Sequence, residues 1–104
     1  MRFVETAIFT REISAFLTDE EYRSLQLALL LRPEQGPLIP GSGGLRKLRW
    51  GYRGKGKRGG SRVIYYWDKK DTIYMLFVYS KSKQGDLTRA QIKMLGKLIQ
   101  EELK

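Results

Sequence analysis

The stretch RVIYYWDKKDTIYMLFVY, residues 62–79, decides the fold. It contains two runs of β-branched and aromatic residues, Arg62–Trp67 and Thr72–Tyr79, which are separated by the polar sequence DKKD. Runs of this composition favour strands, and a short polar turn between two of them is typical of a hairpin. We therefore predict two adjacent antiparallel strands here, with a third strand, Leu45–Trp50, preceding them in the sheet.

Helix starts flank these strands on both sides. Thr18 and Glu21 form a capping box, in which each side chain accepts a hydrogen bond from the other residue's backbone amide. Thr88 and Gln91 repeat the pattern, and Thr6 can cap an earlier helix. The sequence thus predicts two helices before the strands and one after them.

The order of elements predicts a single domain over residues 1–104. Arg2–Glu5 is a short strand candidate, and residues 33–44 form a loop rich in proline and glycine. The resulting order is β-α-α-β-β-β-α. We predict an α+β fold with a small antiparallel sheet and the helices packed on one of its faces.

Positive charge is concentrated in one part of the chain. The formal net charge is +9, and residues 45–62 contain eight Lys or Arg and no acid. Charges of one sign repel each other, so a polyanionic partner is the leading explanation, and a solvated basic surface is the alternative. The stretch YRGKGKRGGSR, Tyr52–Arg62, lies at the centre of this region and joins two predicted strands.

The glycine pattern of this stretch does not predict a nucleotide site. Gly54–Gly59 matches G-x-G-x-x-G literally, but the fingerprint needs a following helix, and here a strand follows. A second partial match, Gly51 to Lys57, lacks the Ser or Thr that a P-loop places next to its lysine. What remains is a basic strand–loop–strand whose glycines allow close approach to a phosphate chain.

Aromatic residues accompany the basic ones. Alternation places Val63, Tyr65 and Trp67 on one face of the sheet and Ile64 and Tyr66, with Arg62, on the other. One set must form the core, and we expect the other to be available for stacking on unpaired bases. Basic residues interleaved with aromatics thus favour RNA as the partner.

The composition restricts catalysis. The chain contains no His and no Cys, and it has no acid between Gly36 and Trp67, so we expect no metal site and no cofactor. RNA offers a metal-free route because its own 2′-hydroxyl can attack the adjacent phosphate. A lysine with a lowered pKa can act as base, arginines can stabilise the transition state, and a tyrosine can act as acid. No signal peptide or membrane span is evident, and the absence of Cys fits a reducing cytoplasm.

The run GGLRKLRWGYRGKGKRGGSRVIYYW and the later IYMLFVYSKSKQGDLTRAQ resemble the RelE/HigB family of bacterial toxin components. The resemblance covers Gly43–Gln91, and the run G-K-R-G-G-x-R-V-I-Y-Y is closest to the HigB branch. It implies a cytoplasmic ribonuclease that enters the ribosome, contacts rRNA and cuts translated mRNA. It also implies neutralisation by an antitoxin with a helix-turn-helix domain.

The resemblance also implies roles for individual residues. Arg62 matches the phosphate-contacting arginine of the family, and Lys81 matches the basic position after the last core strand. The base is expected to be Lys55 or Lys57, and Tyr79 is the candidate acid. The remaining expected RNA-binding residues are Lys47, Arg49, Arg53, Arg58 and Lys83.

The sequence therefore predicts the toxin of a type II toxin–antitoxin pair, acting as a metal-independent, ribosome-dependent mRNA endoribonuclease. Two alternatives remain at this point. One is a non-catalytic RNA- or DNA-binding module, and the other is an inactive homologue that only binds an antitoxin.

Overall fold

The computed structural model describes residues 1–51 and 60–102. Its elements follow the predicted order and are strands β1 (Arg2–Glu5), β2 (Arg46–Trp50), β3 (Ser61–Trp67) and β4 (Thr72–Ser80), and helices α1 (Ala7–Phe16), α2 (Asp19–Leu31) and α3 (Arg89–Glu102). The α+β class and the order β-α-α-β-β-β-α are confirmed. Among the described residues, no helix has both the length and the apolar character that a bilayer crossing requires.

The sheet is mixed rather than antiparallel. Its strand order is β1-β4-β3-β2, and β2, β3 and β4 form the predicted antiparallel meander. β1 instead lies parallel to β4, with Arg2 opposite Thr72 and Glu5 opposite Met75. The prediction of a wholly antiparallel sheet is wrong at this pair, because α1 and α2 carry the chain across to the far edge before the meander begins.

Helices cover both faces of the sheet, so the prediction that they share one face is also wrong. One cluster of buried residues joins Phe9 of α1 and Leu25 of α2 to Tyr65 of the sheet. A second cluster joins Leu95 of α3 to Ile64, the neighbour of Tyr65. Because successive side chains of a strand point to opposite faces, the sheet has an α1–α2 face and an α3 face.

Burial of both faces changes the role of the aromatic residues. Tyr65 is fully buried, and Tyr66 packs against the α3 cluster at a ring-centroid distance of 6.4 Å from Tyr74. Neither face of β3 is therefore an open platform for bases, and the expectation of stacking on that strand is wrong. The signal was present, since a strand without polar alternation is typical of burial on both sides.

The predicted helix caps are present. Thr18 and Glu21 exchange hydrogen bonds of 2.8 and 3.1 Å, and Thr88 and Gln91 exchange two of 3.0 Å. Thr6 accepts from the amide of Phe9 at 3.1 Å. These bonds satisfy amides that the first turn of a helix leaves without partners.

The register of β4 shifts at Leu76. Ile64 lies opposite Phe77, whereas the next residue, Tyr65, lies opposite Met75, so Leu76 is an extra residue in its strand. The carbonyl of Leu76 accepts a 2.8 Å hydrogen bond from Thr6 Oγ1. A bulge of this kind turns every later side chain of the strand to the other face. As a result Tyr79 belongs to the α3 face, as Tyr74 does.

The loop between α2 and β2 is fixed to the sheet by Tyr65. Its hydroxyl donates to the carbonyl of Pro33 at 2.6 Å and accepts from the amide of Gly36 at 2.9 Å. A Cβ at Gly36 would lie 2.9 Å from the Tyr65 ring, so only glycine allows this approach. The loop then follows the outer edge of β2, where Leu38 forms a bridge with Arg46.

Candidate active site

Three neighbouring strands place a row of polar side chains on the α3 face. Arg49 of β2 lies opposite Arg62 of β3, and Arg62 lies opposite Tyr79 of β4. Lys47 is two residues from Arg49 in β2 and shares its face by alternation, and Lys81 lies in the turn directly after β4. The local cause is the predicted alternation in β2 and β3, together with the bulge in β4.

The four cationic side chains line one cleft, which we call the cationic cleft, and Tyr79 adjoins it through a hydrogen bond to the lining residue Asp86. Its volume is about 540 Å³. The cleft is lined by Pro37, Lys47, Leu48, Arg49, Arg62, Lys81, Gly85 and Asp86. Four cations therefore converge with a single carboxylate, a balance that favours a bound polyanion.

Arg62 is the most unusual of these cations. Its side chain is only 5% exposed, and its Nη1 lies 3.5 Å from the carbonyl oxygen of Gly60. All eleven acidic side chains belong to the described residues, and none lies within ion-pair distance of Arg62. Burial of a charge without a counter-ion is costly, so this arginine is ready to receive an anion.

Asp86 is a cleft residue that the sequence reasoning did not select. Its Oδ1 lies 3.3 Å from Lys47 Nζ, 3.5 Å from the Tyr79 hydroxyl and 2.8 Å from the amide of Leu87. The Leu87 hydrogen bond, followed by the Lys47 ammonium, holds the pKa of this carboxyl below its usual range. The signal for Asp86 was limited to a position just before a helix start, which is typical of a capping residue.

Tyr79 has the electrostatics of a protected proton donor. It is 4% exposed, and burial, followed by the charge of Asp86, raises its pKa to about 12. The Arg62 guanidinium acts in the opposite direction, which reflects how close the two groups lie. The phenol therefore keeps its proton across the physiological range.

The structure brings together five predicted residues, of which Lys47, Arg49, Arg62 and Lys81 line the cleft and Tyr79 contacts its lining residue Asp86. Lys83 lies in the exposed turn after β4 and is not among the residues that line the cleft. Four others, Arg53, Lys55, Lys57 and Arg58, lie outside the described residues. The segment that contains them leaves β2 next to Arg49 and enters β3 next to Arg62.

No group of three or more potential metal ligands (His, Cys, Asp or Glu) occurs in residues 1–51 and 60–102. Asp86 is the only acid that lines the cleft. The expectation that the reaction needs no metal or cofactor stays a prediction.

Taken together, the mixed sheet and the flanking helices define a small α+β protein with a cationic cleft on one face of its sheet. The family model described as the RelE toxin of the RelE/RelB toxin–antitoxin system matches residues 2–104. The chain therefore belongs to the RelE toxin family. Members of this family are toxin components that pair with antitoxins, and they are generally endoribonucleases that act on ribosomes.

Proposed function

We propose that this toxin cuts mRNA on the ribosome without a metal ion. The supporting observation is Arg62, a buried cation that lines the cationic cleft opposite Tyr79 of β4 and has no carboxylate partner among the described residues. A scissile phosphate supplies the missing negative charge. Its burial there removes water and so strengthens its attraction to Arg62.

The reaction proposed is transesterification. The 2′-oxygen attacks the adjacent phosphorus, the bond from phosphorus to the 5′-oxygen breaks, and the products are a 2′,3′-cyclic phosphate and a free 5′-hydroxyl. A base takes the proton of the 2′-hydroxyl, and an acid gives one to the departing oxygen. Arg62 and Lys81 balance the negative charge that builds up on the phosphoryl oxygens.

Tyr79 is proposed as the acid. Its raised pKa keeps the proton in place until the leaving oxygen, a much stronger base, develops. In the free protein the phenol lies 3.5 Å from Asp86, which makes a long and weak hydrogen bond that a substrate can replace. The proposed base is Lys55 or Lys57, and both lie outside the described residues.

Further roles follow from the same hypothesis. Lys47, Arg49, Arg53, Arg58 and Lys83 are proposed to contact the RNA backbone and the ribosome. The HigB branch, a helix-turn-helix antitoxin and action in the bacterial cytoplasm also remain part of this proposal.

The experiment compares Arg62→Ala and Arg62→Met with the parent chain by inducible expression in bacteria and primer extension on cellular mRNA. We expect both variants to lose growth inhibition and mRNA cleavage, by at least about 100-fold in rate, since the charge acts on the transition state. The control is Arg11→Ala, an exposed residue of α1 whose Nε lies 3.9 Å from a carboxylate oxygen of Glu12.

Circular dichroism and a urea titration establish that the Arg62 variants fold. Met replaces the aliphatic part of the arginine side chain and removes the buried charge, so the free energy of unfolding of this variant should be unchanged or higher. A folded variant that still cleaves mRNA refutes the role of Arg62. Loss of cleavage in EDTA, with intact ribosomes confirmed by sedimentation, contradicts the metal-free route.

If the parent chain binds RNA and leaves it uncut, it is a non-catalytic binding module. If it neither binds nor cuts RNA but still binds its antitoxin, it is an inactive homologue.

A further inference from the structure

A second groove lies between α3 and the loop that precedes β2. Its volume is about 680 Å³, and it shares no lining residue with the cationic cleft. We call it the α3 groove. It is lined by Pro40, Gly41, Ser42, Gly43, Arg89, Ile92, Lys93, Gly96, Lys97 and Gln100.

One rim of the α3 groove is a row of cations. Arg89, Lys93 and Lys97 are four residues apart, so they lie on one side of the helix at a rise of about 6 Å from each to the next. All three are exposed, and none forms an ion pair with any described residue. Arg89 also occupies the first turn, where the helix dipole disfavours a positive charge. The mutual repulsion of these cations therefore destabilises the isolated chain, and an anionic partner would relieve it.

The floor of the groove is mainly apolar. Ile92 and Pro40 contribute side chains, and Gly96 allows the loop to approach closely, since a Cβ there would lie 3.2 Å from the Ser42 carbonyl oxygen. On the loop side, Gly41 and Gly43 adopt positive φ angles of 71° and 80°, and nothing lies within 4 Å of a Cβ built on either. The groove therefore stays open above an apolar base.

An apolar floor beside a cationic rim selects among polyanions. A ribose-phosphate backbone has no apolar group to bury on Ile92 and Pro40. An amphipathic peptide that alternates apolar and acidic residues matches both parts, because its apolar side chains fill the floor while its carboxylates meet the rim.

We propose that the α3 groove binds an acidic amphipathic segment of the cognate antitoxin. This inference rests on membership of a toxin–antitoxin family and does not require ribonuclease activity. Because the groove and the cationic cleft share no lining residue, the antitoxin can be held at the groove without its segment entering the cleft.

The test uses the purified toxin and its co-encoded antitoxin in surface plasmon resonance. In the variant Lys93→Glu/Lys97→Glu the rim opposes the acidic segment, so the association rate constant should fall at least about tenfold at low salt. The difference should shrink in high salt as the charges are screened. Lys93→Met/Lys97→Met, which keeps most of the aliphatic stems, should show a smaller fall.

The matched control is Arg11→Glu/Arg23→Glu, which makes the same change of net charge on exposed residues of α1 and α2. An equal fall in the control overturns the proposal, as does an unchanged association rate in the groove variant. A single-stranded poly(U) 12-mer serves as the RNA probe. If the groove variant loses affinity for this RNA and keeps that for the antitoxin, the groove is a nucleic-acid surface and the proposal is wrong.

Expression without antitoxin separates this inference from the proposed function. The groove variant should inhibit growth as the parent chain does, because no residue of the cationic cleft has changed. A parent chain that does not inhibit growth counts against the ribonuclease proposal and leaves the binding measurement intact.

Discussion

Tyr79 and Asp86 illustrate how much one carboxylate changes in the cationic cleft. Asp86 partly neutralises Lys47, accepts a long hydrogen bond from Tyr79 and contributes to the rise of its pKa. In the free protein Asp86 thus occupies Lys47, one of the cations proposed to hold the RNA, and it adds to the effect of burial on the pKa of the phenol. Under the proposed function, substrate phosphate competes with Asp86 for Lys47.

We predict that Asp86→Asn lowers the pKa of Tyr79, because it removes the nearby negative charge and leaves the charge of Arg62 in place. The measurement is ultraviolet titration of the tyrosinate band, with the spectrum of Tyr79→Phe subtracted to isolate one residue. A pKa that remains at about 12 in the variant would show that burial alone is responsible.

The raised pKa of Tyr79 also makes the free energy of unfolding depend on pH. Tyr79 has a higher pKa in the folded than in the unfolded chain, where it is about 10. The contribution of this tyrosine to the free energy of unfolding is complete below pH 10 and is lost as the pH rises through about 12. In Tyr79→Phe the free energy of unfolding should therefore fall less steeply between these two values.

At the scale of the elements, the β4 bulge decides which residues meet. If Leu76 were a regular residue of the strand, alternation from Met75 would turn Tyr79 toward the α1–α2 face, away from Arg62. The bulge is accommodated by Thr6, which caps α1 and also donates to the Leu76 carbonyl. One threonine thus links the first helix to the geometry of the cleft.

The loop before β2 depends on Tyr65 in a comparable way. We predict that Tyr65→Phe lowers the free energy of unfolding by about 1–3 kcal/mol, because the buried Gly36 amide and the Pro33 carbonyl both lose a partner. Thermal and urea unfolding measure the change. The control Tyr66→Phe should change it by less than about 0.5 kcal/mol, since no hydrogen bond to the Tyr66 hydroxyl occurs within residues 1–51 and 60–102. Equal losses would contradict this account.

Local signals gave a reliable outline of the elements. The capping boxes at Thr18 and Thr88 predicted two helix starts correctly, and composition predicted the β3–β4 hairpin. The pairing of β1 with β4 had no local signal, because strands distant in sequence meet only through packing. The only sequence signal that α3 covers the second face of the sheet was the unbroken apolar character of β3 and β4, which is typical of strands buried on both faces.

The candidate site was predictable to a similar extent. Alternation brings Lys47, Arg49 and Arg62 to one face, and this could be read from the sequence. The meeting of Tyr79 with Arg62 depends on an inserted residue, and apolar strands do not mark such insertions. The position of Asp86 in the cleft depends on its tertiary contacts with Lys47 and Tyr79, and no spacing of residues in the sequence predicts these contacts.

At the scale of the whole molecule, both charged surfaces involve the α3 side of the sheet. The cationic cleft carries Lys47, Arg49, Arg62 and Lys81, and the α3 groove adds three more cations from the helix. Residues 1–44, which include α1 and α2, have two more acidic than basic side chains, six against four. This asymmetry makes the electrostatic potential more positive on the α3 side, which is the side that we expect a polyanion to approach.

We predict that binding of the parent chain to a poly(U) 12-mer weakens with salt, with a slope of log K against log salt of about −2 or steeper. Each neutralised phosphate of a single strand contributes about −0.7 to the slope. Four cations and one carboxylate line the described cleft, which gives it a net charge of +3. Filter binding between 50 and 300 mM salt, roughly the range over which such contacts are screened, measures it. Lys81→Ala should make the slope shallower by about 0.7. A flat dependence would show that the cleft does not hold RNA phosphates.

The parallel pairing of β1 with β4 also has a consequence for the order in which the sheet forms during synthesis. Thr6, directly after β1, donates a hydrogen bond to Leu76 of β4, 70 positions later in the chain. During synthesis β1 is therefore made long before the strand with which it pairs. Contacts of such long range form late and slowly. The sheet that carries the cationic cleft is therefore completed only after most of the chain has been synthesised.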